Sequence, residues 1–422
     1  MAKIKKLLAQ EILDSRGFPT IAVTVVLDNG ISAIASSPSS VFVAPYAARE
    51  LRDGDKKRYG GQGMRLASQK VEDLITTALV GKKIDDQAAL DQILLDLDGT
   101  PDKHNLGANT ILAVSVACAR AGAQNAKQEL FVYLNKIFAL SSPRIPIPIF
   151  CLFNGGRYGD TNLDFQEFLI IPKKSDFSEM LRLGSEIFQE LGDVLDESGY
   201  DTDTGSEGGY APDLDSSIEA LEFILAAGTR VGRQPGVDFS LGLNIGSSIL
   251  YEESSHKYLF ALDNAYFSAA NLVGLYEEWL KKYPLSYLED ALADEDWSAW
   301  RELTAEFNQK MIIAAGDVFA SNIHRLREGL KEKAANSIVI KPLQIGTLTE
   351  IISCCQLAQK HNYKVILSHS SGETNDDFLA DLAVALNADY IKAGAPSRGE
   401  RIVKYNRLLT IASLLKNYED HK

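Results

Sequence analysis

Residues 337–374 read SIVIKPLQIGTLTEIISCCQLAQKHNYKVILSHSSGET. Two short apolar runs, SIVI and KVILS, enclose the segment 347–361, whose apolar residues recur every three or four positions. That is the pattern of a buried parallel strand, a crossover helix and a second strand. Each run ends on a polar or ionisable side chain, Lys341 in the first and His369 in the second. The unit repeats along the chain: FSLGL ends at Asn244, PLSYL at Glu289, MIIAAG at Asp317 and YI at Lys392. Successive ends lie 23 to 45 residues apart, as βα units require. Six such ends predict a β/α barrel with polar groups gathered at its C-terminal mouth, where barrels place their chemistry. A doubly wound open sheet is the rival, but it usually carries a phosphate loop. No GxGxxG or GxxxxGKS/T motif lies between a strand and a helix, and Gly60-Gly61-Gln62-Gly63 follows no predicted strand.

Upstream, Ser141-Ser142-Pro143-Arg144-Ile145-Pro146-Ile147-Pro148 reads as a stiff, helix-poor connector. We place a domain boundary there, with a small α+β unit over 1–135 and the barrel over 136–422. Within the first unit, TIAVTVVLDNG (20–30) is a strand entering a turn and ISAIAS its partner strand. Residues 66–80, 86–97 and 108–124 have helical periodicity. In the second unit, SSIE (216–219) predicts a helix start with a capping box.

The 422 residues are 45% hydrophobic and 24% charged, which excludes a disordered chain. Fifty-seven acidic against 43 basic residues leave a net charge of −14, disfavouring duplex nucleic acid or an anionic membrane as the main partner. No run approaches the roughly 18 to 20 apolar residues of a membrane span, and MAKIKKLLAQEI is too short in its apolar part for a signal peptide. The expected compartment is the cytoplasm. Cys118, Cys151, Cys354 and Cys355 sit in apolar stretches without zinc-ligand spacing or a disulfide framework, so they read as core fillers.

Glu289 and Asp317 are hard oxygen ligands at successive strand ends, suited to magnesium, and Asn244 adds a neutral carbonyl oxygen. Helix capping by Glu289, Asp290 and Asp317 is an equal alternative. Lys341 and Lys392 end apolar strands, where desolvation and neighbouring cations can lower a lysine pKa until it serves as a base; structural ion pairing is the competing reading. Glu167 follows LDFQ, and Glu207 lies in GSEGGYAP, whose glycines permit a tight loop over a substrate. Glu207 reads equally as a solvated loop acid. His369 sits among Ser368, Ser370 and Ser371, where hydroxyls and a glycine can accept an anion, or where a helix is capped.

These motifs resemble the enolase family, whose members interconvert 2-phosphoglycerate and phosphoenolpyruvate. The resemblance spans nearly the whole chain. It rests on LDSRGFPT (13–20), ELRDGDKKRY (50–59), GANTILAVS (107–115), FNGG (153–156), QEF (166–168), SEGGYAP (206–212), LEDALADEDW (288–297), KPLQIGTLTE (341–350), SHSSGET (368–374) and IKAGAPSRGER (391–401). It implies an α/β fold, with a small N-terminal α+β domain followed by a modified (β/α)8 barrel, and usually a homodimer. It further implies Lys341 as the base taking the proton from carbon 2, Glu207 as the acid assisting loss of hydroxide from carbon 3, and Glu167 as its partner. Lys392 would clamp the substrate carboxylate, with His369, Ser371, Tyr158 and Ser370 in the substrate shell. Asn244, Glu289 and Asp317 would hold one weak Mg2+.

The chain departs from the family at clustered positions. Asn244 stands where GLD supplies an aspartate, Phe42 where PSGASTG supplies the serine of the second magnesium, Tyr158 where NGGSHAG has histidine, and Ser370 where SHRSGET has the phosphate-binding arginine. Ser206 replaces an aspartate, and VFASN after Asp317 is one residue shorter than DLFVTN. Arg157 is a nearby cation for the phosphate. Three readings follow: a divergent 2-phosphoglycerate hydratase, a related lyase acting on a less anionic hydroxy acid, and a non-catalytic homologue with a binding or structural role.

Overall fold

The computed structural model describes residues 2–40 and 44–420. Phe42, with its neighbours 41 and 43, lies outside the described residues. The N-terminal unit opens with three antiparallel strands, β1 (Ile4–Leu13), β2 (Pro19–Leu27) and β3 (Ser32–Ser36), in the order β1-β2-β3. Leu27 N donates to Ile31 O at 2.8 Å to close the β2–β3 turn, with Gly30 at φ +87°. The sheet's inner face, including Ile21, Val23 and Val25, packs on the long helix Ala108–Asn125. That helix is buried along most of its length, as its alanine-rich sequence allows.

β4 (Ile147–Asn154) starts within the proline-rich stretch, so the connector passes directly into the barrel. It is followed by β5 (Glu167–Pro172), β6 (Phe239–Asn244), a small antiparallel sheet of β7 (Tyr251–Glu252), β8 (Lys257–Phe260) and β9 (Ala265–Phe267), then β10 (Leu285–Glu289), β11 (Ile312–Ala315), β12 (Ser337–Ile340), β13 (Lys364–Ser368) and β14 (Tyr390–Lys392). The barrel closes in the order β10-β11-β12-β13-β14-β4-β5-β6. This closure removes the open-sheet alternative. One strand departs from the parallel expectation: β5 runs antiparallel to both β4 and β6. The link from β4 to β5, residues 155–166, contains no crossover helix, and the helices Phe177–Glu197 and Ser217–Arg230 both follow before β6.

Several helices match their sequence periodicity closely: Gln87–Asp98, Ala108–Asn125 and Leu348–Lys360. The segment 65–79 is helical throughout, with a π turn over Val71–Ile75. At 216–219 the expected capping box is incomplete. Ser216 makes no side-chain cap, whereas Glu219 Oε2 accepts from Asp215 N at 2.9 Å.

The N-terminal unit docks on the barrel mouth through backbone as well as side chains. Ser39 N donates to Gly372 O at 2.7 Å and Gly372 N returns a 2.9 Å bond to Ser39 O, while Ser15 N donates to Glu373 O at 2.8 Å. Asp14 accepts from Arg16 and Ser39 beneath this contact. The LDSRG and SHSSGET motifs are therefore two sides of one junction.

Candidate active site

Strand alternation explains which side chains reach the mouth. Ile149 and Cys151 on β4, Leu169 and Ile171 on β5, Tyr287, Ala314, Val339 and Ile366 fill the barrel interior. Side chains two positions apart share a face. Two residues toward the mouth from Tyr287, Val339, Leu169 and Ile366 stand Glu289, Lys341, Glu167 and Ser368. Glu167 begins its strand because β5 is reversed. Asn244 and Lys392 end β6 and β14. Glu207 comes from a loop laid along β4, where Asn154 N donates to Tyr210 O and Tyr210 N to Leu152 O, both at 2.8 Å.

Lys341, Glu207, Glu167, Lys392, His369, Ser371, Tyr158, Ser370, Asn244, Glu289 and Asp317 all line one pocket, together with Arg157. Gln166, Gln344, Ser40 and Glu50 also line it, and sequence reasoning assigned them no role. Gln166 stood beside Glu167 in QEF; the others come from the docked N-terminal unit and the β12 loop, which no local pattern directs to the mouth.

Charge pairing is dense. Lys392 Nζ donates to Glu167 Oε2 and to Glu289 Oε2, each at 2.6 Å. Asn244 Nδ2 donates to the same Glu167 oxygen at 2.7 Å, and Tyr287 Oη to Glu289 Oε2 at 2.5 Å. Lys341 Nζ lies 3.3 Å from Asp317 Oδ1. Burial pushes both lysine pKa values down, but the carboxylates outweigh it, Asp317 foremost for Lys341 and Glu167 for Lys392, and both are held above the ordinary value. The lowered lysine pKa expected from apolar strand ends is thus reversed here, because acidic groups converge on the same ammonium ions.

The capping and solvated-loop alternatives do not describe these carboxylates. Asp290, at φ +46°, accepts from Gly316 N at 2.8 Å and from Asp317 N at 3.0 Å, tying β10 to β11 rather than starting a helix. Gly316 is required there, since a Cβ would come 2.6 Å from Asp290 Oδ2. Burial, with Asp317 and Glu289 nearby, drives the Asp290 carboxyl well above its ordinary pKa. Glu207 is only 4% exposed, and its backbone N donates to Asn154 Oδ1 at 3.2 Å. Burial and the Arg401 guanidinium hold the His369 imidazole well below its usual pKa, hence neutral.

Two sets of side chains bear on metal binding. Asn244 Oδ1 and Glu289 Oε1 are buried without a hydrogen-bond partner. With the Asp317 carboxylate they offer hard oxygen donors of the kind Mg2+ takes. Separately, Cys151, Glu167 and Glu207 bring one ligand atom each within 4.8 Å of one another, a candidate metal-ligating cluster. The Cys151 thiol donates to Phe153 O at 3.3 Å, and burial with two adjacent glutamates pushes its pKa well up. A protonated thiol is a poor magnesium ligand, so the oxygen set fits that ion better.

Residues 4–134 match the enolase N-terminal domain, and residues 142–421 match the enolase C-terminal TIM barrel domain. An enolase of Natranaerobius thermophilus is 43% identical over 416 residues, covering 98% of this chain and 96% of that relative. The chain belongs to the enolase family.

At position 370 this enolase-family chain has a buried serine whose carbonyl accepts from Arg401 Nη1 at 2.9 Å. Arg401 also binds Ser206 O and Ser371 O, at 2.9 and 2.7 Å, so its donors are taken up by backbone carbonyls and the His369 ring. Arg157 is solvent-exposed at the pocket edge, with Asp317 its leading charge neighbour. Tyr158 is half-buried; burial raises its phenol pKa, so it stays a neutral donor. Among the described residues, no helix is long and apolar enough to cross a membrane.

Proposed function

We propose that the protein is an enolase-like lyase: it removes a proton alpha to a substrate carboxylate and eliminates water across the adjacent carbon bond. One observation carries this reading. Lys341 follows the end of β12 and Glu167 begins the reversed β5, four strands apart around an eight-stranded barrel, with Glu207 beside Glu167. A base and an acid can thereby act on opposite faces of one small acid. Lys341 takes the carbon 2 proton as the free amine, a form that requires the Asp317 charge holding its ammonium to be offset; Glu207 protonates the departing hydroxyl with Glu167 as its partner, and Lys392 holds the carboxylate. Asn244, Glu289 and Asp317 would hold Mg2+, which when bound offsets charge on the substrate carboxylate. His369, Ser371, Tyr158 and Ser370 shape the remaining wall. We take the working form to be a cytoplasmic homodimer of chains built as 1–135 and 136–422, acting on a small carboxylate and on neither nucleic acid nor membrane. Sedimentation at twice the chain mass is the expected result.

Turnover of 2-phosphoglycerate to phosphoenolpyruvate is the reaction the family resemblance supports. Ser370 favours a weaker grip on its phosphate, because a serine offers one donor and no charge where a guanidinium offers two donors and a charge. The expected kcat/KM with 2-phosphoglycerate at saturating Mg2+ is accordingly very low. Partial recovery is expected only when Ser370→Arg is combined with Phe42→Ser. A panel of unphosphorylated hydroxy acids, assayed alongside, distinguishes the less anionic substrate. Absence of turnover for every acid and every variant would instead support a non-catalytic homologue.

A further inference from the structure

Arg401 is fully buried in the helix Gly399–Asp420. Its Nη1 contacts His369 Nδ1 as well as Ser370 O, and its Nη2 binds Ser371 O and Ser206 O. One guanidinium thereby ties the loop after β13 to the residue preceding Glu207. The surrounding backbone is cut to fit: Ala395 N donates to Glu207 O at 2.9 Å, and a Cβ on Gly394 would come 2.6 Å from that oxygen and 2.9 Å from Arg401 Cδ.

Arginine donates hydrogen bonds and cannot accept them. A guanidinium facing Nδ1 therefore requires a lone pair there, and a neutral imidazole must then carry its proton on Nε2. That nitrogen stands 3.4 Å from Glu207 Oε2, a buried oxygen with no hydrogen-bond partner. We propose that Arg401 is a positioning residue for Glu207, locking His369 as the Nε2–H tautomer so that the ring N–H turns Oε2 toward itself and leaves the other carboxyl oxygen for the substrate. In the elimination the Glu207 carboxyl proton passes to the carbon 3 hydroxyl as that C–O bond breaks and the electron pair at carbon 2 forms the double bond. The carboxylate left behind then accepts from His369. This step rests on the acid role proposed for Glu207; the tautomer does not.

The test begins with the unmodified protein: nitrogen-15 spectra of the imidazoles, with His369 assigned by its loss in His369→Gln. A pyridine-type Nδ1 and a pyrrole-type Nε2 are expected, and a proton on Nδ1 would overturn the proposal. Arg401→Met, checked for folding by circular dichroism, should show a mixed tautomer at His369. On whichever hydroxy acid is turned over, kcat should fall about 10- to 100-fold, the usual cost of losing a group that orients a reacting one, with KM little changed. Arg401→Lys should recover part of that loss. An unchanged tautomer in a folded Arg401→Met protein, or an unchanged kcat, would overturn the positioning role. If no acid is turned over, the spectra still decide the tautomer, and the failure belongs to the functional reading.

Discussion

Lys392 on β14 and Glu289 on β10 stand four strands apart in either direction around the barrel, yet their side chains meet at 2.6 Å. The ammonium therefore reaches across the barrel interior, and Glu167 meets it from a third strand at the same distance. The side chains of all three are at most 3% exposed. Charges so deeply buried persist only as a set.

Removing the cation should show this directly. Lys392→Met leaves two carboxylates buried without their shared partner, and breaking a buried pair costs about 3–5 kcal/mol. Denaturant unfolding of the metal-free protein should register a loss of that order. A loss below about 1 kcal/mol, the surface-pair level, would contradict the arrangement.

Asn244→Asp should change metal affinity and stability in opposite directions. An added negative charge beside Glu289 and Asp317 should tighten Mg2+ binding about tenfold, as roughly 1.4 kcal/mol of added attraction would do. The variant also replaces an amide donor with a carboxylate facing Glu167, so the metal-free form should melt lower. Equal affinity by calorimetric titration would remove Asn244 as the limiting ligand.

Arg157→Met separates phosphate binding from proton chemistry. If Arg157 takes over part of the phosphate contact, KM for 2-phosphoglycerate should rise about tenfold, the value of one charged hydrogen bond. KM for an unphosphorylated hydroxy acid should not move. A rise for both acids would assign Arg157 to the carboxylate or to general loop placement instead.

Asp176 offers a pH-dependent readout away from the pocket. It caps the helix Phe177–Glu197, accepting from Ser178 N and Glu179 N, and pairs with Lys416 at 2.6 Å. Lys416, then Ser178 and the helix N–H groups, hold its pKa below the ordinary 3.8. A depressed folded-state pKa adds stability above the unfolded value and loses it as pH falls through the folded one. Asp176→Asn keeps a capping side chain and should flatten the loss below pH 3.8, whereas Asp176→Ala should cost about 1 kcal/mol at neutral pH. Identical acid limbs for parent and Asn variant would exclude Asp176 as a source.

Much of the barrel was legible because burial writes itself into local pattern. A strand covered on both sides must be apolar throughout, and a polar residue at its end then marks the mouth, as at Lys341 and Lys392. β1 carried no such mark: Lys5, Lys6 and Leu8 face solvent while Ile4 and Leu7 are buried, and its pairing is set by β2. β5 carried no sign of its direction either. EFLIIP reads the same in either direction, and only its register against β4 and β6 makes it antiparallel and puts Glu167 at the mouth.

The sequence by itself determined the strand–helix repeat, the polar groups at six strand ends and the positions that depart from the family, because alternation, helical period and residue chemistry are local properties. Tertiary structure alone decided how those groups are charged and what they touch. Strand order brings Lys392 to Glu289 and reverses the expected lysine pKa shift, and closure of the barrel puts Arg401, 31 residues beyond Ser370 in the chain, against the Ser370 carbonyl. An ionisable group's state depends on the field of every charge within a few ångströms, whatever its distance along the chain.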